Sequence, residues 1–215
     1  MSLTNLRILF IRHAECEANI QQHLIAGRQP ESPLSELGKQ QSILLGERLK
    51  HIINPLVYTS PLVRAKETAR IALPNDVFSQ ATVVPELQEF TNGDWDGKSR
   101  HDVYTSEQLL KINTAGYLFK PPNGESQRMV QRRASNWLED EILWNQVHHN
   151  EGDEPRYILI FSHAIVIKSL LHYILGFSDR FIYRFCLDNT GICEFKYNDD
   201  GWFPVTINDT SHLNK

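Results

Sequence analysis

Two histidines and two arginines are the side chains of this sequence best suited to chemistry. Arg12 and His13 are adjacent, and Arg64 and His163 lie far from them along the chain. Arginine stays charged at any working pH and can bind phosphate oxygens through two parallel hydrogen bonds. The imidazole of histidine has a pKa of about 6.5, so its neutral form is an available nucleophile near neutrality. Phosphoryl transfer needs an in-line nucleophile surrounded by positive charge, so these four residues indicate that reaction if the fold brings them together.

Each of these residues follows an apolar run that predicts a buried strand. The runs lie at 7–11, 56–59 and 157–161. Helices predicted to begin at 61 and 164 would point backbone N–H groups at a bound anion. Because open parallel sheets bind ligands outside the carboxyl ends of their strands, we expect the three polar clusters to meet at one sheet edge.

The rest of the chain alternates strands with helices. The patterns predict helices at 35–51, 61–73, 105–112, 125–148 and 164–175, and further strands at 82–84, 183–187, 191–197 and 202–207. This alternation predicts an α/β fold, a three-layer α/β/α sandwich with a largely parallel central sheet. No linker or repeat is evident, so residues 1–215 are predicted to form a single domain, with a substrate-covering insertion near 98–124.

Composition restricts the classes of function. The 215 residues are 41% hydrophobic and 22% charged, with a net charge of −4, which is typical of a globular domain. There is no basic stripe for nucleic acid and no apolar run long enough to span a membrane. The three cysteines, Cys16, Cys186 and Cys193, match no zinc spacing. We therefore expect a cytoplasmic protein that binds neither nucleic acid nor a membrane. The expected partner is a small phosphorylated molecule, because of the two histidines and two arginines, and a homodimer through an edge strand is a further hypothesis.

Five ordered blocks of the sequence resemble the signatures of the histidine phosphatase superfamily, the phosphoglycerate-mutase-like proteins. The first resembles R-H-G-E-x-x-x-N, and the last resembles the S-H-G block. The blocks are Arg12-His13-Ala14-Glu15 with Asn19, Thr59-Ser60-Pro61-Leu62 with Arg64, Ala65, Thr68 and Ala69, Leu87-Gln88-Glu89 with 93–97, Asn123-Gly124-Glu125-Ser126, and Phe161-Ser162-His163-Ala164. Together they span about residues 7–195. They are closest in character to the phosphatase branch, of the α-ribazole phosphatase or broad-specificity type.

The resemblance implies the fold of that family and a metal-independent phosphomonoester hydrolase that needs no organic cofactor. It assigns the attack on phosphorus to His13, which would become a phosphohistidine. The phosphoryl oxygens would be held by Arg12, Arg64 and His163. Asn19 is also implied to bind the phosphoryl group, although local turn chemistry is an equally good interpretation of an asparagine at that position.

The same resemblance implies that Glu89 protonates the leaving oxygen and then takes a proton from the hydrolytic water. That role requires a carboxyl group whose pKa is raised by burial or by its neighbours. Three other carboxylates lie close to Glu89 in the sequence, namely Glu86, Asp94 and Asp96. Glu89 is selected among them only by the register of the L-x-E and G-x-W-x-G blocks.

The chain departs from the family pattern at Ala14 and Ala164, where glycine is usual. Alanine there implies that neither backbone position adopts a conformation restricted to glycine. The other histidines, including His51, His101 and His212, have no ligand-like spacing and are predicted to lie at the surface.

Three functions stay open at this point. The first is the hydrolase, the second is a cofactor-dependent phosphoglycerate mutase or fructose-2,6-bisphosphatase-like enzyme, and the third is an inactive binding or scaffold relative. Mutases of the family typically read G-x-L-x-G-L-N-K after the donor glutamate, whereas residues 93–99 here read G-D-W-D-G-K-S. An inactive relative would usually lack the nucleophile or an arginine. The substrate is also open, and its recognition is expected to come from the 20–34 segment, including Arg28, and from 98–124.

Overall fold

Six strands form one sheet in the computed structural model, which describes residues 5–29, 31–145 and 154–214. Strands β1 to β6 span Asn5–Arg12, Leu56–Thr59, Thr82–Val83, Arg156–Ser162, Ile192–Asn198 and Gly201–Asp209. They are arranged in the order β3-β2-β4-β1-β5-β6. The first four are mutually parallel, and β5 and β6 are added in antiparallel pairings. The expectation of a largely parallel central sheet is confirmed.

Helices connect the strands and cover both faces of the sheet. Helices α1 to α8 span Glu17–Ile20, Glu36–Leu49, Val63–Ala72, Asn75–Phe78, Arg100–Val103, Ser106–Ala115, Gln127–Trp137 and Ala164–Leu175. Short 3-10 helices occur at Pro85–Leu87, Gly93–Trp95, Gly116–Leu118, Asp179–Phe181 and Ser211–Leu213. Within the described ranges, no helix combines the length and the apolar character needed to cross a bilayer.

The alternation of side chains along β1 accounts for the three layers. Leu6, Ile8 and Phe10 point to one face, where they join the core formed with α7 and α8. Leu9 and Ile11 point to the other face and join the core formed with α2 and α3. Successive residues of a strand face opposite sides of a sheet, so an unbroken apolar run is the pattern of a strand buried on both faces. The predicted α/β/α sandwich is therefore confirmed.

The register of the parallel strands aligns their carboxyl ends. Ile11 of β1 and Thr59 of β2 both lie opposite Phe161 of β4. The next pair along β1 and β4 is Arg12 with Ser162. The residues that follow these three strands consequently emerge at one level of one edge, as the sequence predicts.

The start of helix α3 differs from the expectation. The predicted helix at 61–73 begins at Val63, and Leu62 is its N-cap residue. The backbone N–H of Ser60 donates to the carbonyl of Phe161 at 2.9 Å, so residue 60 continues the hydrogen bonding of the sheet edge. The side chain of Ser60 accepts from the N–H of Leu62 at 3.3 Å, which forms a local turn before the helix.

Helix α7 also has different bounds from those predicted. It begins at Gln127, and the Ser126 side chain caps it by accepting from the N–H of Met129 at 3.2 Å. After Trp137 the chain widens into a π-helical segment, Leu138–Leu143. The predicted end of this helix, near 148, lies outside the described residues.

The strand expected at 183–187 is wrong. The N–H groups of Arg184 and Phe185 both donate to the carbonyl of Phe181, at 2.8 and 3.1 Å. These local bonds form a turn and occupy the groups that a strand would offer to a neighbour. The other predicted elements are present with small changes of length, including strand β3, which ends at Val83.

Gly38, in the first turn of α2, lies in close contact with the backbone of Glu15. A Cβ atom at Gly38 would lie 1.9 Å from the carbonyl oxygen of Glu15. Glycine-to-alanine changes inside helices usually stabilise by about 0.5–1 kcal/mol, but overpacking costs about 1–3 kcal/mol. We therefore expect Gly38→Ala to lower the free energy of unfolding in urea titrations. Gln40→Ala, at an exposed position of the same helix, is the control. If the Gly38→Ala protein were as stable as the Gln40→Ala protein, the close contact between Gly38 and Glu15 would be contradicted.

Candidate active site

The two histidines meet at the carboxyl edge of the sheet. His13 follows β1, and its N–H donates to the carbonyl of Ser162 at 3.0 Å. His163 follows β4 and is the N-cap residue of α8. Both side chains are buried, and their ring centroids lie 5.1 Å apart. The predicted convergence of these strand ends is confirmed for the histidines.

The surroundings of His13 favour a neutral imidazole whose Nε2 is unprotonated. Its Nδ1 lies 2.7 Å from the carbonyl oxygen of Ala14. A carbonyl oxygen only accepts hydrogen bonds, so Nδ1 carries the proton and Nε2 keeps its lone pair. Burial lowers the pKa of His13 well below its usual value, and the positive charges of Arg64 and Arg12 lower it further. The ring is therefore suited to nucleophilic attack through Nε2.

His163 is bonded to the residue that follows the neighbouring strand. Its Nε2 lies 2.7 Å from the hydroxyl of Ser60. Its Nδ1 is buried and has no hydrogen-bond partner among the described residues. Burial, followed by the charge of Arg64, lowers the pKa of His163 well below its usual value. Buried polar atoms in folded proteins are nearly always paired, so an unpaired nitrogen here is a candidate ligand contact.

The two arginines supply positive charge, and no carboxylate among the described residues forms an ion pair with either of them. Arg12 donates from Nη1 to the carbonyl of Leu187 at 2.5 Å, and its buried Nε has no partner in the described part of the chain. Arg64 donates to the carbonyls of Gln29, at 2.7 Å, and Gly27, at 3.3 Å. Burial lowers the pKa of both guanidinium groups. Arg64 is buried and Arg12 is partly buried, and both are held by carbonyl groups alone among the described residues. Such a pair of cations favours a doubly charged anion beside it.

Glu89 lies within the electrostatic reach of both arginines. It occupies the loop after the 3-10 helix Pro85–Leu87, and its Oε1 accepts from the N–H of Phe90 at 2.8 Å. Burial raises the pKa of Glu89, against the lowering effects of the Phe90 hydrogen bond and of the charges on Arg64 and Arg12. A carboxyl group with a raised pKa holds its proton to higher pH and can donate it. The sequence register that selects Glu89 thus identifies a carboxyl group with the required property.

Asn19 makes local hydrogen bonds near His13. Its Oδ1 accepts from the N–H of Cys16 at 3.2 Å and from the side-chain Nδ2 of Asn189, also at 3.2 Å. This is the turn chemistry considered for it from the sequence. A contact between Asn19 and a phosphoryl group stays a prediction.

Residues 187–191 form a part of the site that the sequence reasoning missed. The Asn189 side chain donates to the carbonyl of His13 at 3.0 Å, and the N–H of Thr190 points to the same oxygen at 3.4 Å. The Thr190 hydroxyl also bonds to Nε2 of His212 at 3.0 Å. The surface position predicted for His212 is wrong, because this ring is buried against the site wall. The only signal in the sequence was the turn-forming composition of 188–191.

Both alanines that replace the usual glycines have ordinary backbone conformations. Neither Ala14 nor Ala164 is among the residues with positive φ, as expected from the sequence. The N–H of Ala14 donates to the hydroxyl of Thr68 at 2.9 Å, and that hydroxyl donates to the carbonyl of Arg64 at 2.7 Å. Thr68 therefore couples the loop of the nucleophile to the helix that carries Arg64.

The described residues contain no group of three or more His, Cys, Asp or Glu side chains arranged to hold a metal ion. The side chains that the site offers are an imidazole whose pKa is lowered, two arginines and a carboxyl group whose pKa is raised.

Comparisons with known proteins agree with this geometry. The sequence model of the histidine phosphatase superfamily (branch 1) matches residues 8–210. An adenosylcobalamin/α-ribazole phosphatase of Salmonella typhimurium is 29% identical, over 88% of this chain and 92% of the relative. A probable phosphoglycerate mutase of Salmonella paratyphi C is 28% identical, over 97% and 95% of the two chains. The crystal structure of the α-ribazole phosphatase from Shigella flexneri is 26% identical and covers 95% of this chain and 96% of that one, with a TM-score of 0.80.

The charge environment of His13 gives a prediction that needs no substrate. We expect an NMR titration to place the pKa of His13 below its ordinary value, and Arg64→Met to raise that pKa because the positive charge with the larger effect on His13 is removed. Arg7→Met is the control, since Arg7 pairs with Glu194 on the sheet instead of lining the site. An unchanged His13 titration in Arg64→Met would show that the two groups do not interact.

Proposed function

Because the chain belongs to branch 1 of the histidine phosphatase superfamily, we propose that it hydrolyses small phosphomonoesters without a metal ion, through a phosphohistidine on His13. The proposal names Arg12, Arg64 and His163 as the groups that hold the phosphoryl oxygens. Glu89 is the proton donor, and Asn19 is a further contact to the bound group. Residues 1–215 act as one domain, in which 98–124 covers the substrate.

One observation carries the proposal. His13 is buried, its Nδ1 is bonded to a carbonyl oxygen, and it lies within the electrostatic reach of Arg12 and Arg64. Within the described ranges, the guanidinium groups of these two arginines bond only to carbonyl oxygens. A phosphoryl dianion would complete the hydrogen bonding of these guanidinium groups and would lie in reach of the nucleophile. Neither an inactive scaffold nor a simple anion carrier needs the nitrogen of the nucleophile to be kept unprotonated.

In the first half of the reaction, Nε2 of His13 attacks phosphorus as the bond from phosphorus to the ester oxygen breaks. The electron pair of that bond goes to the leaving oxygen, which takes the proton of Glu89 and departs as a neutral alcohol. Arg12 and Arg64 stabilise the charge on the equatorial oxygens, where it is concentrated in the transition state.

In the second half, the carboxylate of Glu89 takes a proton from water as the water oxygen attacks phosphorus. The bond between phosphorus and Nε2 breaks, and its electron pair returns to the ring of His13. The site is restored with Glu89 protonated and inorganic phosphate bound. The raised pKa of Glu89 suits both steps, because the group must gain and lose a proton near the working pH.

A mutase is the second candidate function, because relatives named probable phosphoglycerate mutase match nearly the whole chain. It would share the first step but return the phosphoryl group to bound product. Residues 93–99 favour the hydrolase, since they lack the sequence typical of mutases at this point.

The substrate class follows from the charge of the site and from the named relatives. We include α-ribazole phosphate first among the substrates to test, followed by sugar phosphates, phosphoglycerates and fructose 2,6-bisphosphate. A cytoplasmic location is part of the proposal, because Cys16, Cys186 and Cys193 are free thiols.

The nucleophile is tested by replacing it. We expect the wild type to release phosphate from 4-nitrophenyl phosphate in the presence of EDTA, and His13→Ala to lose on the order of 10⁴-fold or more of that rate. Denatured wild-type protein quenched during turnover should carry acid-labile phosphate. The control is His51→Ala, since His51 is exposed and lies outside the segments 20–34 and 98–124 that are expected to contact the substrate.

Unchanged turnover in His13→Ala would overturn the mechanism and assign the activity to a contaminant. Interconversion of 2- and 3-phosphoglycerate that depends on 2,3-bisphosphoglycerate and exceeds phosphate release would replace the hydrolase with the mutase.

The pH dependence tests Glu89. With benzyl phosphate, kcat/KM should fall as the pH rises through the pKa of Glu89, because the proton donor is lost. We expect Glu89→Gln to remove this basic limb and to lower kcat/KM by about 10²–10⁴-fold. Glu86→Gln, which changes a neighbouring carboxyl group, should keep the limb. A basic limb that persists in Glu89→Gln would assign the proton donor elsewhere.

A further inference from the structure

Two arginines and one glutamate form a partly buried ion cluster behind Glu89. Glu125 accepts from Nη2 of Arg28 at 2.7 Å, and from Nε and Nη2 of Arg133 at 2.9 and 3.1 Å. The side chains of Arg28, Arg133 and Glu125 are 29%, 19% and 14% exposed. The three residues come from the 20–34 segment, helix α7 and the turn before it. We call them the Arg28–Glu125–Arg133 cluster.

Both arginines of the cluster bond to the backbone of the proton donor. Nε of Arg28 donates to the carbonyl of Glu89 at 2.9 Å, and Nη2 of Arg133 points to the same oxygen at 3.4 Å. Arg133 also donates from Nη1 to the carbonyl of Glu86. The two bonds to the Glu89 carbonyl hold the backbone of Glu89 itself, and the bond to the Glu86 carbonyl holds the chain on the amino side of Glu89.

Glu125 holds the chain on the carboxyl side of Glu89. Its N–H donates to the carbonyl of Thr91 at 3.0 Å, and its Oε2 accepts from the N–H of Thr91 at 3.4 Å. The loop at 88–92 belongs to no helix or strand, so its position depends on such side-chain contacts.

From this geometry we propose that Arg28, Glu125 and Arg133 are positioning residues that keep the carboxyl group of Glu89 within reach of the leaving oxygen. The inference rests on the proposed function, in which Glu89 donates that proton. General acid catalysis needs a separation of about 2.6–3.2 Å between donor and acceptor, so a loop that moves by 1 Å loses most of the effect. Removing the charge of Glu125 leaves two neighbouring guanidinium groups without their shared carboxylate, which separates them and releases the loop.

The dependence on the leaving group distinguishes positioning from general stability. Departure of benzyl alcohol from benzyl phosphate needs the proton of Glu89, whereas the nitrophenolate of 4-nitrophenyl phosphate departs with little protonation. We expect Glu125→Gln to lower kcat/KM about tenfold or more for benzyl phosphate and less than about threefold for 4-nitrophenyl phosphate. Arg133→Lys, which loses the forked geometry, should give the same selective loss, and Glu125→Asp should restore part of the rate.

The matched control is Glu194→Gln. Glu194 pairs with Arg7 at 2.9 Å and is 15% exposed, close to the exposure of Glu125, but this pair lies on the sheet and does not contact Glu89. We expect Glu194→Gln to leave unchanged the ratio of kcat/KM for benzyl phosphate to kcat/KM for 4-nitrophenyl phosphate. Thermal unfolding is recorded for every variant, so that a loss of folded protein, which lowers both rates equally, is recognised.

Each outcome has a separate meaning. A wild type that hydrolyses neither ester would overturn the proposed function, and the positioning role with it. An active wild type whose Glu125→Gln and Arg133→Lys variants lose equal rate on both esters would overturn only the positioning role.

Discussion

The site depends on the alignment of three parallel strands at their carboxyl ends. His13 and Ser60 each donate a backbone hydrogen bond to the end of β4, to the carbonyls of Ser162 and Phe161. These bonds fix where the chain leaves β1 and β2, and they place His13 and Ser60 beside His163. A shift of one residue in either pairing would turn the site residues to the opposite face, so the register that buries the two cores also sets the geometry of the chemistry.

Burial at the sheet edge shifts the pKa values of His13 and Glu89 in opposite directions. Burial lowers the pKa of His13, and the positive charges of Arg64 and Arg12 lower it further, which favours the neutral imidazole. The same burial acts on Glu89 in the opposite sense and stabilises the protonated form. One environment therefore favours both the neutral imidazole and the protonated carboxyl group that the proposed mechanism requires.

Much of this arrangement could be predicted from the sequence because it depends on strand ends. Apolar runs followed at once by Arg12-His13 and by His163 predict convergence through the rules of parallel sheets. The contributions of Asn189 and Thr190 could not be found in this way, since they come from a turn before an antiparallel strand. His212 was placed wrongly for a related reason: burial of an isolated polar residue near the end of the chain depends on tertiary contacts that leave no periodic pattern.

The turn at 188–191 has a cost that the site contacts offset. Thr190 is β-branched and has φ of +57°, a conformation that costs roughly 1–2 kcal/mol for such residues. It is buried, its hydroxyl bonds to His212, and its backbone lies against the carbonyl of His13. The next residue, Gly191, accepts from the N–H of Arg12 at 3.2 Å. The strained turn thus joins the antiparallel end of the sheet to His13 and Arg12. We explain the strain at Thr190 by the position that the turn imposes on these two residues.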